Sequence, residues 1–165
     1  MILKAELSVS SLDNLLKELR EYREKVESLD SKLPQELASN AESYISQNLA
    51  DVMDRDGNVD VSTGTDKIGN TARAYMDGSQ AAYIEFGTGV KGKQSPHELA
   101  TEVGWEYDSG ERIFTTKDGR RGWVYKDPIS GLYYFTEGIP AMMPVLNAAR
   151  EIKNEVAETA RELMK

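Results

Sequence analysis

The sequence predicts an α+β fold: a small antiparallel β-sheet with aromatic hairpins, packed by N-terminal helices and a long C-terminal amphipathic helix. Three observations lead there. Apolar residues recur at three- and four-residue spacing near both ends of the chain. The middle is cut into short runs by Gly, Asp, Asn and Pro. Both tryptophans and four of the eight tyrosines fall between Gly104 and Thr136.

Leu3, Ala5, Leu7 and Val9 alternate with polar residues, the pattern of a short strand with one buried face. The period then changes. Leu12, Leu15, Leu16, Leu19, Tyr22, Val26 and Leu29 mark an amphipathic helix reaching Asp30, with Ser10 and Asp13 as a capping-box-like start. Pro34 suits the first turn of a helix better than its interior, so a second helix is expected there. It carries Leu37, Ala41, Tyr44, Ile45, Asn48, Leu49 and Val52, until Arg55-Asp56-Gly57-Asn58 ends it. Such stripes face either the core or a subunit contact, which sequence alone does not separate, and the core is expected for both.

Beyond them, Val59 and Val61 alternate with acids, Ser62 to Asn70 is rich in Gly, Thr and Asp, and Thr71 to Met76 regains strand character. Two strands joined by a mobile loop are expected. Asp108-Ser109-Gly110, Lys117-Asp118-Gly119 and Asp127-Pro128 with Gly131 read as hairpin turns between strands. Val145, Ala149, Ile152, Val156, Ala160 and Leu163 form the stripe of a last helix, with Pro144 in its first turn. At 165 residues a single domain is expected, 1–165. Its parts are a strand plus helical segment 1–56, a β-rich segment with mobile loops 57–137, and the C-terminal helix 138–165.

Composition narrows the chemistry. Without cysteine there are no disulfides, thiolate metal sites or thiol nucleophiles, and with His97 as the single histidine one subunit cannot build a two-imidazole metal site. The net charge is -8, and Met1 to Asp66 alone holds 14 acids against 7 bases. An acidic chain does not hold phosphate backbones through a general positive field, so DNA is expected only in non-specific passage, past an acidic wall to which it does not stick. No apolar run approaches a membrane span, and Met1-Ile2-Leu3-Lys4-Ala5-Glu6 is not a secretion signal, which predicts a protein made in the cytoplasm with no membrane partner.

Gly87-Thr88-Gly89-Val90-Lys91-Gly92-Lys93-Gln94 satisfies two nucleotide patterns at once. The phosphate-loop reading fails at Gln94, where magnesium needs Ser or Thr, and at Pro96, which disfavours the helix that should follow. The dinucleotide reading lacks its second parallel strand and acidic residue. A flexible glycine-rich loop is expected instead. An EF-hand alignment of Asp51 to Asp60 fails at Val52 and Thr63, the two end ligands, so the acids read as a solvated turn. His97 has only Ser95 as a neighbouring nucleophile, so a surface or satisfied core histidine is expected. No catalytic residue, cofactor or metal is assigned, and the chain is expected not to be an enzyme.

Two stretches then stand out: Ala81-Ala82-Tyr83-Ile84-Glu85-Phe86-Gly87-Thr88-Gly89, and Gly122-Trp123-Val124-Tyr125 leading through Tyr133-Tyr134-Phe135-Thr136-Glu137-Gly138-Ile139-Pro140-Ala141-Met142-Met143-Pro144. In order and spacing they resemble the gene-product-ten-like family of phage tail-component or neck proteins, over most of the chain from Val59 onward. The family's usual continuation after Thr-Gly is replaced here by Thr65-Asp66-Lys67-Ile68. The resemblance implies a virion protein at the head–tail junction of a long-tailed phage or prophage. It also implies a homo-oligomeric ring around the axial channel, with head-completion and tail-terminator proteins as partners. A tail terminator or tube-associated protein is the alternative, and a nucleotide-binding enzyme using Gly87 to Lys93 the remoter one. Interface candidates are Glu85, Phe86, Gly87, Thr88, Gly89, Trp123, Tyr125, Tyr133, Pro140, Met142 and Met143, where glycines let the backbone turn and methionines adapt to a partner.

Overall fold

The computed structural model describes residues 9–56, 60–108, 110, 112–126 and 130–165, with the side chains of 9 and 51–56 excepted. The strand expected over Leu3 to Val9 lies outside the described residues except for Val9, which opens a helix. Gly57-Asn58, Val59, Ser109, Asp127-Pro128 and the acidic side chains from Asp51 to Asp56 lie outside them too.

Helix α1 spans Val9–Asp56 without interruption, so the two N-terminal helices expected around Pro34 are one. Pro34 offers no N–H to the carbonyl of Asp30, but that loss is confined to a single turn. Side chains bind carbonyls of the same stretch: Ser28 Oγ donates to Lys25 O (2.8 Å) and Gln35 Nε2 to Ser31 O (2.6 Å). The turn beyond Pro34 is further held by tertiary packing, with Ala38 buried. Restoring the missing donor with Pro34→Ala is expected to raise the unfolding free energy by about 1–2 kcal/mol, read as a higher denaturant midpoint. An unchanged midpoint would mean that the Asp30 carbonyl is already satisfied.

Strands β1 (Ser62–Ile68) and β2 (Thr71–Asp77) pair antiparallel from Ser62↔Asp77 to Ile68↔Thr71. The mobile loop expected over Ser62 to Asn70 is thus a strand and the two-residue turn Gly69-Asn70, a pair suited to tight hairpins. β1 lacks apolar alternation and takes its place from its partner, whose Ala74 and Met76 pack toward the core. Polar contacts secure it: the Thr63 hydroxyl donates to Glu42 on α1, and Arg73 bridges to Asp66 at 2.7 Å.

Two short helices follow, α2 (Ala81–Phe86) and α3 (Gly89–Gln94). Strands β3 (Phe114–Thr115), β4 (Arg121–Lys126) and β5 (Tyr133–Thr136) form an antiparallel sheet in that order. The expected breaks at 117–119 and 127–131 both fall between its strands. Asp108 instead lies in an irregular stretch, with no strand among the described residues between Gly89 and Phe114.

The last helix, α4 (Pro144–Leu163), begins at Pro144 as its sequence requires and runs antiparallel to α1. Asn48 Nδ2 donates to Pro144 O at 3.2 Å, Tyr44 donates to Glu155, and Lys25 Nζ donates to Lys165 O at 3.1 Å. The bond to Glu155 holds the Tyr44 phenol above its usual range. Ile45 and Leu49 of α1, Ile84 of α2 and Ala148 of α4 form the core, flanked by Tyr44, Val61, Ala74, Met76, Ile139, Met142 and Val145. No helix among the described residues is long and apolar enough to cross a membrane.

Candidate functional site

The two segments that carry the family resemblance meet in space. The chain around Thr88 crosses the chain around Ile139: Thr88 N donates to Ile139 O (2.8 Å), Lys91 N to Glu137 O (3.1 Å) and Met142 N to Ile84 O (3.0 Å). Gly87, Gly89 and Gly138 are all buried at this crossing. A side chain on Gly89 would stand 2.4 Å from the ring of Trp123, which closes the junction from β4.

At the centre lies Glu85, only 7% exposed, in the last turn of α2. Its Oε2 accepts the backbone N–H of Val145 (2.9 Å), and its Oε1 accepts that of Leu146 (3.0 Å) and faces His97 Nε2 (3.1 Å). These two amides belong to the first turn of α4, whose N-cap, Met143, has no side-chain cap of its own. The carboxylate therefore does from 60 residues away what Ser, Thr or Asp does locally: it satisfies orphan donors and meets the positive end of the helix dipole. Met143 sits in the left-handed region (φ 58°, ψ 40°), a bend that brings the first turn over the carboxylate.

His97 is buried, as the satisfied core histidine expected from the sequence would be. Its Nδ1 accepts the Leu99 N–H at 3.0 Å, which leaves the ring proton on Nε2 to donate to Glu85. Phe86 lies on its ring (4.4 Å) and stacks on Trp105 (5.1 Å), while Trp105 Nε1 donates to Gly87 O at 3.0 Å. Tyr107 accepts the His97 N–H through its hydroxyl at 3.0 Å. Glu98 reaches Arg150 on α4 at 2.5 Å, and that bond holds its carboxyl below the usual range. Both oxygens of Glu85 and both ring nitrogens of His97 are engaged inside the chain. The pair clasps the end of α2, the segment at His97 and the first turn of α4 together.

The glycine-rich run is also not the flexible loop expected. Gly89–Gln94 is helical, and the amides a phosphate loop would offer are committed elsewhere: Gly87 N to Tyr83 O, Thr88 N to Ile139 O, Gly89 N to Tyr107 O, and Gly92 N to Thr88 O. A phosphate would have to displace these bonds. Among the described residues, no cluster of three or more His, Asp or Glu is placed to hold a metal ion.

The interface candidates separate into two groups. Glu85, Gly87, Gly89 and Trp123 are buried, and Phe86, Thr88, Pro140, Met142 and Met143 are half-buried around them. Tyr125 and Tyr133 are exposed on the β4–β5 hairpin, Tyr133 at 72%, beside Val124, Leu132 and Tyr134. The sequence gives no sign that Trp105, Tyr107 and His97 gather around Glu85 and Phe86, nor that the first α1 stripe does not face the core. Leu12, Leu16, Leu19, Tyr22 and Val26 are all exposed. No family model, curated protein or solved structure matches the chain.

Proposed function

We propose that this protein is a structural assembly component of a tailed bacteriophage or prophage, acting in the neck or at tail completion through protein–protein contacts. The observation that carries the reading is the exposed apolar surface at two separate places, the N-terminal stretch of α1 and the aromatic β4–β5 hairpin. Large exposed apolar patches mark interaction surfaces, and two of them suit a subunit that touches neighbours on more than one side. The resemblance to phage neck proteins gives these surfaces a setting, and its two segments form one internal junction. A homo-oligomeric ring, bound to head-completion and tail-terminator proteins and passing DNA without gripping it, accommodates both surfaces.

Particles purified from the strain that carries the gene, labelled with gold through an epitope on this chain, test the placement. Label at the head–tail junction is expected. Label further down the tail assigns the tail-terminator or tube alternative, and particles free of the chain refute the reading.

A further inference from the structure

Helix α1 has 48 residues and is about 72 Å long, whereas α4, with 20, covers about 30 Å of it. The tip of α4 reaches Lys25, beside an open depression of about 290 Å³ lined by Leu29, Ala160, Arg161, Met164 and Lys165. N-terminal to that tip the apolar side chains of α1 stand open: Leu12, Leu16, Leu19, Tyr22 and Val26 are 42–50% exposed. Their spacing is regular. Leu12, Leu15, Leu19, Tyr22, Val26, Leu29 and Leu33 alternate by three and four residues, the a and d positions of consecutive heptads, and the stripe breaks register only at Pro34, where it steps by four again to Leu37. One seam thus runs down α1, covered by α4 at Leu29 and exposed at Val26, Tyr22, Leu19 and Leu12, with Leu15 half-buried between the last two.

The charges beside the seam identify what covers the rest. With Leu12 at an a position, Glu18 falls at g and Arg23 at the next e, where Arg23 also reaches Glu27 of its own helix at 2.6 Å, while Lys25 and Asp30, the next g and e residues, are held inside the chain by Lys165 and Asn70. In a parallel in-register pair, g of one helix faces e five residues on in its neighbour, so Glu18 of each copy meets Arg23 of the other. An antiparallel pair covering Leu12 to Val26 would lay the first turn of the second copy opposite Leu29, where α4 already lies. We infer that residues 12–26 form a short parallel, in-register coiled coil with a second copy of this chain, ending where the two α4 helices take over the seam. The pairing deepens the assembly reading by saying how two copies touch, but it is a property of the purified chain and stands or falls apart from any place in a virion.

Light scattering of the full chain over a concentration series reads it. The mass is expected to rise from one chain to two as concentration increases, and Leu19→Asp is expected to leave a single chain at every concentration with folded-state circular dichroism intact, because Leu19 is exposed within one copy. Glu18→Lys or Arg23→Glu sets like charges face to face twice in each pair and is expected to raise the dissociation constant about tenfold. An equimolar mixture of those two variants is expected to recover wild-type affinity, since the introduced charges then face each other with opposite sign and one native pair survives. A wild-type chain that stays single throughout, a dimer indifferent to Leu19→Asp, or a mixture no tighter than either variant alone overturns the proposal.

Discussion

Glu85→Ala is expected to cost roughly 3–5 kcal/mol of stability, because it strands two backbone amides and the His97 ring proton at once. At the size of this chain that loss lowers the melting temperature by roughly 6–20 °C. The effect starts at the first turn of α4. With Met143 unable to cap it, the Val145 and Leu146 N–H groups have no acceptor but the carboxylate. The conservative Glu85→Gln keeps one acceptor oxygen, loses the charge that faces the helix dipole and turns an NH2 toward other donors, so it is expected to fall between wild type and alanine. Thermal and denaturant unfolding of the three proteins measures this order. A loss under about 1 kcal/mol for alanine would show that water replaces the carboxylate at the helix end and that the clasp is incidental to stability.

How much of this was legible in the sequence depended on whether the cause was local. α4 was, because Pro144 and a regular apolar stripe act within one helix. The meander β3–β4–β5 was, because turn residues at 117–119 and 127–131 separate runs of aromatic and β-branched residues. The unbroken α1 was not: Pro34 carries a local penalty, and the packing that outweighs it comes from α4 and the first hairpin, far along the chain. β1 was hidden for a similar reason, since Thr63, Gly64 and Asp66 show no apolar alternation and the strand is specified by its partner β2. Glu85 pointed outward as an interface candidate, yet one signal was available. A helix opening on Pro144 with Met143 before it lacks the usual cap, and a carboxylate inside the apolar run Tyr83-Ile84-Glu85-Phe86 needs buried donors. The stripe from Leu12 to Val26 was read correctly as an amphipathic face and wrongly as a core face. Periodicity gives the direction in which a face points around its own helix, and burial alone tells whether anything of the same chain lies there.

Gly138→Ala is the second substitution with a large expected effect, about 3–4 kcal/mol, and its cause is separable from the first. Gly138 has φ +85°, and a Cβ there would stand 2.0 Å from the Thr88 carbonyl oxygen and 2.6 Å from its carbonyl carbon. Both are backbone atoms, so no side chain can swing aside; the two crossing segments must part, and the Thr88–Ile139 hydrogen bond at 2.8 Å parts with them. Gly119 is the control, since it has nearly the same φ, +87°, and nothing within 4 Å of its added Cβ. Gly119→Ala carries the left-handed strain alone, about 1 kcal/mol, so the difference between the two variants in denaturant unfolding isolates the close approach. Equal losses at both positions would mean that the crossing relaxes freely. A larger loss at Gly138 would mean that the crossing of the two segments beside Glu85 is rigid and cannot part to admit a Cβ.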